Sequence, residues 1–421
     1  MSTARVVVTG MGMVTPLGLS VDETWAGCLS GNSGIARLDR FDVSAHPCQA
    51  AATVPPFDIT SSLRIPKNQK FMNPGVKFAI RAVKEAIAAS GVESAGYDAE
   101  RIALHTGSGH PGPEASEFFA AFSLSSGNGL EPDYRKLGGR PSRLIDPYFP
   151  VRTLANAGVA LISPEIGAKG PSNNFVQSDT ASAQAVAAAW DDLAENRCDV
   201  ALAVGYDSLI TVANYLAYEQ EGLLSHSPPE SAYRPFDRDR DGLVLGEGAG
   251  ALVLERREDA KRRGAPVLGE ICGFGSAVDI SDSTAPVDPG PFVKLIREQA
   301  TLLGEVNMIV AHGIGTIDGD RREAIVLSTV FDRAAPVTAL KSGTGYLGAA
   351  TAVVEIGLGL LGLRQRKIPQ LARHQCPDPE IALDLVVGNP RYISPGQPGG
   401  IFLGWSWAGQ CTVLSARAML D

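Results

Sequence analysis

The sequence of 421 residues predicts an α/β protein built from two similar halves. Short β-branched and apolar runs alternate with helical segments, the order expected of β-α-β units around a buried, largely parallel sheet. Three strand-like runs of the first half also have counterparts in the same order in the second half, which indicates a duplicated unit.

The repeated runs divide the chain near its middle. A charged segment that ends in Gly-Ala-Pro, residues 256–266, separates them, and we expect the halves to span residues 1–258 and 259–421. The three pairs are VVVTGMG (6–12) with GEICGFG (269–275), RIALHTGSG (101–109) with NMIVAHGIG (307–315), and DVALAVG (199–205) with PGGIFLGWSWAG (398–409).

Local signals place the first elements. Residues 4–9 are a β-branched run that we expect to end in a turn at Gly10-Met11-Gly12. Residues 75–90 carry apolar side chains near helical spacing, and Gly91 is a typical helix stop. An Ala-rich helix is expected to begin at Thr180.

Composition excludes several classes of protein. Hydrophobic residues make up 44% and charged residues 20%, an ordinary globular balance, and the net charge of −9 argues against nucleic acid or an anionic membrane as a partner. We find no apolar run of transmembrane length and no signal-peptide pattern. The six cysteines are scattered without metal-ligand spacing, so we expect free thiols, no metal site and a cytoplasmic location.

Two short motifs are weak. Asp237, Asp239 and Asp241 resemble the start of a calcium-binding EF-hand loop, but the acid required at its twelfth position is missing. Residues 404–408 resemble the nucleophile elbow of hydrolases, yet a strand-like run rather than a helix follows. Neither motif is expected to form its site.

Four longer motifs carry a family resemblance. The chain resembles the β-ketoacyl synthases, the condensing enzymes of fatty acid and polyketide assembly, from about residue 4 to 415. The resemblance implies a thiolase-like fold, in which duplicated α/β halves form a five-layer α-β-α-β-α sandwich, normally as a dimer. The motifs are VVVTGMGMVTPLG (6–18), RPFDRDRDGLVLGEGAGALVLE (234–255), AHGIGT (311–316) and KSGTGYLGAA (341–350).

The resemblance also implies an altered reactive site. Family members carry a nucleophilic cysteine at a strand-to-helix turn, and in this sequence its place falls on Asp179. The first family histidine is retained as His312, whereas the second falls on Tyr346. The lysine and its acidic companion are present as Lys341 and Glu355.

Residues around this site also differ from the family. Thr316 remains, but Ile314 replaces a threonine that in relatives helps to hold the pantetheine arm. Trp407 takes the place of the gating phenylalanine.

Asp179 has two interpretations. Attack of its carboxylate on a thioester would form a labile mixed anhydride, so it is a poor carrier of an acyl chain. Aspartate is a good N-cap, and Asp179 then serves only to hold the following helix. The alternative is a residual acid/base or binding role.

Loss of the cysteine resembles the chain-length factors of type II polyketide synthases, which pair with a cysteine-bearing ketosynthase. We expect a non-catalytic subunit of such a heterodimer, with Phe118, Phe119 and Phe122 lining the tunnel that limits chain length. No cofactor is expected, because the substrate is carried on the phosphopantetheine of an acyl carrier protein, which docks through the partner since this chain is acidic. The usual substitute in that branch is glutamine, and the departure favours a reducing, polyene-making pathway over an aromatic one.

The alternative function is that of an enzyme with altered chemistry. Asp179 and His312 would act as an acid/base pair on an acyl-carrier-protein thioester. The reaction would be decarboxylation, hydrolysis or acyl transfer without a covalent intermediate.

Overall fold

The structure is a computed structural model that describes residues 4–112, 115–127, 131–278, 290–406 and 409–419. Among these residues, no helix combines the length and the apolar composition needed to cross a membrane. The strands are β1 (Val6–Val14), β2 (Ile35–Arg37), β3 (Ala50–Ala52), β4 (Ile102–Ser108), β5 (Ser172–Phe175), β6 (Val200–Ser208), β7 (Glu247–Arg256), β8 (Gly269–Val278), β9 (Met308–Val310), β10 (Pro336–Thr338), β11 (Lys367–Ile368), β12 (Asp384–Leu385), β13 (Arg391–Tyr392), β14 (Gly399–Trp405) and β15 (Gln410–Ala418). The α-helices are α1 (Val21–Leu29), α2 (Pro74–Ser90), α3 (Ala115–Ser125), α4 (Tyr134–Leu137), α5 (Phe149–Thr153), α6 (Ala157–Ile166), α7 (Ala181–Ala194), α8 (Val212–Gln220), α9 (Arg257–Arg262), α10 (Gly290–Leu303), α11 (Ile317–Phe331), α12 (Lys341–Thr344) and α13 (Thr351–Gln365).

Two units of five strands with the same topology, together with the additional edge strand β12, form one eleven-stranded sheet. The sheet order is β12-β10-β9-β14-β15-β8-β1-β7-β6-β4-β5. When β12 is left aside and strands are counted in chain order, each unit places its third strand outermost, followed by its second, fourth, fifth and first. The two first strands, β1 and β8, meet in the middle. The three sequence pairs fall on the first, second and fourth strands of the units, which confirms the duplication.

The sheet is mixed, so the expectation of a largely parallel sheet is wrong. Among the described strands, five of the ten pairings within it are antiparallel and five are parallel. The cause is visible at β14 and β15, which pair antiparallel and are only four residues apart in the sequence, too few for a crossover helix.

Five layers follow from the faces that the helices cover. Helix α2 packs on one face of β1, β7 and β6, and α7 and α13 pack on the other. Helix α13 also contacts β14 and β15, whose opposite face is covered by α10. Alternation along the strands supports this order: Leu252 of β7 lies in the central core and Val253 in the outer one. The five-layer thiolase-like fold is confirmed, whereas the division at residue 258 stays a prediction.

Strand β1 continues through the glycines where a turn was expected. It runs to Val14, with a register shift between Val8 and Gly10. A Cβ on Gly12 would lie 1.9 Å from the carbonyl oxygen of Ala82 in α2. These glycines therefore allow the helix to pack closely against the strand instead of turning the chain.

Candidate functional site

Asp179 lies at the junction between the first sheet unit and the central helices. It occupies a 3₁₀ turn, Ser178–Thr180, between β5 and α7, and its side chain is buried with 1% exposure. Ser178 has a φ of 51°, a left-handed conformation uncommon for residues other than glycine, which helps to make this turn tight. The residue therefore sits at the strand-to-helix position that the resemblance implies.

The N-cap interpretation of Asp179 is wrong. The N-cap residue of α7 is Thr180, which makes no capping hydrogen bond through its side chain, and the helix starts at Ala181. Neither carboxyl oxygen of Asp179 has a hydrogen bond of ordinary geometry. Burial raises the pKa of Asp179 to about 7, although the nearby Tyr346 hydroxyl and the charge of Lys341 oppose that rise.

His312 follows β9, and hydrogen bonds fix both its backbone and its imidazole ring. Its backbone N–H and that of Gly313 donate to the two carboxylate oxygens of Glu323, at 2.6 and 2.8 Å. The backbone N–H of Trp405 donates to ring Nδ1 at 3.3 Å, so Nε2 carries the ring proton of the neutral side chain. Burial and the charge of Lys341 lower the pKa of His312 well below its ordinary value.

Lys341 supports this loop from behind. Its Nζ donates to the His312 carbonyl oxygen at 2.7 Å and to Oε1 of Glu355 at 2.9 Å. Both side chains of the ion pair are buried, and burial raises the pKa of Glu355 to about 7. The lysine and glutamate therefore pair as the resemblance implies, and they shape the His312 loop without lining the cavity beside it.

Tyr346 brings a phenol to the place where the family resemblance implies an imidazole. Its ring contacts that of Tyr218 edge to face, with centroids 5.9 Å apart. Its backbone N–H donates to the Val244 carbonyl oxygen at 2.9 Å. Burial and the neighbouring Asp179 raise the pKa of Tyr346 well above its ordinary value, so the hydroxyl stays protonated.

One cavity of about 810 Å³ brings the altered positions together. Asp179, His312 and Tyr346 all line it, and Ile314 and Thr316 lie on its wall. The cavity combines a carboxyl group, a neutral imidazole and a phenol, none of which forms a durable thioester.

Sequence reasoning missed two aromatic walls of this cavity, Tyr218 and Trp405. Tyr218 belongs to α8, which no motif marks, and its place beside Tyr346 depends on tertiary packing. Trp405 ends β14 at the start of the elbow-like segment 404–408, and the next described element is strand β15, not the helix that an elbow requires.

The other predicted residues lie elsewhere. Phe118, Phe119 and Phe122 belong to α3 and do not line the cavity; Phe119 is 73% exposed, and the Phe118 ring contacts Phe149 with centroids 4.6 Å apart. Trp407 lies outside the described residues. The tunnel-lining role of the three phenylalanines stays a prediction.

The acidic EF-hand-like segment forms a hydrogen-bonded corner. Asp237, Asp239 and Cys376 place ligand atoms within 4.8 Å of one another. The Asp237 carboxylate, however, accepts the N–H groups of Asp239 at 2.9 Å and Cys376 at 2.7 Å, while Asp241 accepts from the Ser225 hydroxyl at 2.6 Å. The acids thus satisfy backbone donors and do not form an EF-hand loop; the absence of a metal site stays a prediction.

The layered fold and the cavity at its centre define a condensing-enzyme-like protein of the thiolase type. Residues 3–260 match the family model of the beta-ketoacyl synthase N-terminal domain, and residues 275–375 match that of the C-terminal domain. The chain belongs to the beta-ketoacyl synthase family. It is 31% identical over 399 residues to a 3-oxoacyl-[acyl-carrier-protein] synthase 2 of Synechocystis, with 92% of each chain covered. A Coxiella burnetii protein of the same name is also 31% identical, over 402 residues and 93% of each chain.

Solved structures show the same fold. The ishigamide ketosynthase/chain length factor superposes with a TM-score of 0.87 and 26% identity, covering 100% of both chains. A type II polyketide synthase acyl-carrier protein in complex with its ketosynthase has a TM-score of 0.82 and 24% identity, covering 99% of this chain and 100% of that one. Because its identity is below 25%, the second structure supports a shared fold and nothing further.

Proposed function

We propose that this chain is the chain-length-factor subunit of a type II polyketide synthase and pairs with a cysteine-bearing ketosynthase. The observation that carries the proposal is that none of the six cysteines lies among the described residues lining the cavity. Cys28 and Cys198 are buried in the central core, and burial raises the pKa of each thiol to about 12. A chain without a thiolate in the reactive cavity needs a partner to carry the acyl group.

The proposed partner would meet an exposed edge and an apolar surface. Strand β5 ends the sheet and pairs only with β4 among the described strands, so its other side has no neighbouring strand and is the edge where another chain would add. Several large apolar side chains in residues 115–176 are exposed, and a partner would remove them from water. They are Phe119, Phe122, Leu124, Tyr134, Leu144, Tyr148, Val151, Leu154 and Val176.

The substrate of the proposed complex is a polyketide or polyene chain carried on an acyl carrier protein. The names of the synthase relatives and of the ketosynthase/chain length factor among the structural neighbours support this assignment. The net charge of −9 favours carrier docking through the partner. Arg64, Lys67 and Lys70 nevertheless form an exposed basic cluster around the 3₁₀ turn Pro66–Phe71, where an acidic carrier would meet attraction on this chain.

A condensation assay tests the assignment of the chemistry. The heterodimer is assayed with malonyl carrier protein after the partner's reactive cysteine is replaced by alanine, and separately with Asp179→Ala in this chain. We expect the first change to abolish chain elongation and the second to leave at least half of it. Elongation that survives loss of the partner's cysteine but not loss of Asp179 would overturn the proposal.

A second candidate function is enzymatic, and the shared cavity of Asp179 and His312 favours it. With a pKa of about 7, Asp179 is partly protonated at neutral pH, as acid/base catalysis requires. Purified chain is assayed for hydrolysis and decarboxylation of malonyl and acyl carrier-protein thioesters, with Asp179→Asn as the matched variant. Turnover that falls at least 100-fold in that variant would support this function, whereas undiminished turnover would exclude Asp179 as a base. For either function, the cytoplasmic location of this protein and its independence of cofactors stay predictions.

A further inference from the structure

The cavity contains a buried carboxyl group that meets no hydrogen-bond partner of ordinary geometry among the described residues, although the Tyr346 hydroxyl lies beside it. Asp179 is 1% exposed, lines the cavity, and makes no hydrogen bond of ordinary geometry through either oxygen. Buried carboxyl groups almost always have hydrogen-bond partners, because an unsatisfied one loses its hydration without compensation. This side chain is therefore suited to accept a hydrogen bond from a molecule inside the cavity.

A complementary donor faces the same space. Since the Trp405 N–H occupies Nδ1 of His312, the neutral imidazole presents a proton on Nε2 and donates rather than accepts there. The lowered pKa keeps this side chain uncharged. Among the groups that line the cavity, Asp179 thus offers an acceptor and His312 a fixed donor.

The apolar part of the remaining wall suits an acyl chain, while charged side chains such as Asp318 and Arg322 line the rest. Leu223, Leu243 and Ile314 supply aliphatic surface, and Tyr218 adds an aromatic face. A volume of about 810 Å³ is within the range of sites for organic ligands of moderate size. An amphipathic ligand with an apolar chain and two polar atoms matches this lining better than a small ion does.

We propose that the cavity binds a hydroxyacyl chain without a covalent bond: the ligand hydroxyl donates to the Asp179 carboxyl, and a ligand carbonyl oxygen accepts from Nε2–H of His312. The identification of this ligand as a reduced intermediate of the growing chain rests on the proposed function. The binding preference itself does not, because it depends only on the side chains of this cavity.

Calorimetry with the full chain tests the preference. The probes are the 3-hydroxyoctanoyl, 3-oxooctanoyl and octanoyl thioesters of N-acetylcysteamine. We expect the hydroxy thioester to bind about tenfold more tightly than the octanoyl thioester, the usual effect of one buried hydrogen bond. We also expect Asp179→Ala to remove this difference while leaving octanoyl binding within twofold.

Asp179→Asn is the matched variant, because it keeps an acceptor oxygen without the charge. It should retain part of the preference that Asp179→Ala loses, and circular dichroism of both variants verifies their folding. Equal binding of the hydroxy and octanoyl probes, undetectable binding of the hydroxy probe, or an undiminished preference in Asp179→Ala would each overturn the inference. If the heterodimer is active but its cavity binds the hydroxy and octanoyl probes equally, only this inference is overturned. If the chain prefers the hydroxy probe but pairs with no ketosynthase, only the proposed function is overturned.

Discussion

The backbone N–H of Trp405 donates a hydrogen bond to Nδ1 of His312 across 3.3 Å, which ties the end of β14 to the loop after β9. Because this bond occupies the free lone pair of the neutral ring, His312 acts as a fixed donor and is poorly placed to take up a proton. The retained histidine therefore supports binding in the cavity more directly than base catalysis.

Removal of the buried lysine should destabilise the fold strongly. Lys341→Ala leaves the buried Glu355 without its cation and removes the donor to the His312 carbonyl oxygen. We expect the free energy of unfolding in urea to fall by about 3–5 kcal/mol. Lys294→Ala is the matched control, since its ion pair with Glu298 is exposed and should contribute less than about 1 kcal/mol. Equal losses in the two variants would contradict the proposed support of this loop.

The raised pKa of Asp179 predicts a pH-dependent stability difference from Asp179→Asn. The folded wild type holds this proton up to a pKa of about 7, whereas the unfolded chain loses it near its ordinary value of 3.8. The unfolded state therefore binds fewer protons between these values, and wild-type stability falls as the pH rises.

The variant lacks this titration, so we expect its stability relative to wild type to increase by up to about 1.4 kcal/mol per pH unit in that interval. The groups that face Asp179, namely Tyr346, Tyr218, Lys341 and Asp207, are present in both proteins. Urea unfolding at several pH values from about 4 to 7 measures the difference. A constant difference across this range would show that Asp179 keeps an ordinary pKa.

The sequence identifies much of this fold because the pattern is repeated. Strands β1, β4 and β6 and their counterparts β8, β9 and β14 all begin in the short apolar runs that mark the duplication. Strand direction could not be inferred in the same way, since burial on both faces gives antiparallel and parallel strands similar apolar runs.

The site residues were predictable only where they match a position of the family motifs. Asp179, His312 and Tyr346 fall in one cavity, as their alignment with family positions implies. Tyr218 and Trp405 complete the cavity through contacts between distant segments, for which local sequence provides no signal. The capping role suggested for Asp179 failed because propensity alone does not show where a side chain points.

The aromatic side chains of α3 provide a test of chain-length control. The Phe118 ring stacks on Phe122 with centroids 5.5 Å apart, so loss of either ring opens space at the surface of α3. We expect Phe118→Ala or Phe122→Ala in the heterodimer to lengthen the products by at least one two-carbon unit, as measured by mass spectrometry. Tyr134→Ala, which removes an exposed ring from α4, is the control for general weakening of the interface. Unchanged products in both phenylalanine variants would argue against their tunnel-lining role.

The exposed basic cluster predicts a contribution of this chain to carrier binding. Lys67→Glu reverses one charge of the cluster formed with Arg64 and Lys70. We expect the KM for the acyl carrier protein to rise about threefold to tenfold at low salt, with kcat little changed, because charge reversal weakens encounter more than chemistry. Lys294→Glu in α10 is the control for net charge. An unchanged KM in Lys67→Glu would assign docking to the partner, and a KM that rises equally in both variants would show only an effect of net charge.

Native mass spectrometry of this chain, expressed alone and together with a cysteine-bearing ketosynthase from its own gene neighbourhood, tests the central claim most directly. We predict a stable one-to-one heterodimer on co-expression, formed through the exposed edge at β5 and the apolar surface of residues 115–176. A stable homodimer that does not exchange with the ketosynthase would contradict the account and would leave Asp179 and His312 as the site of an independent enzyme.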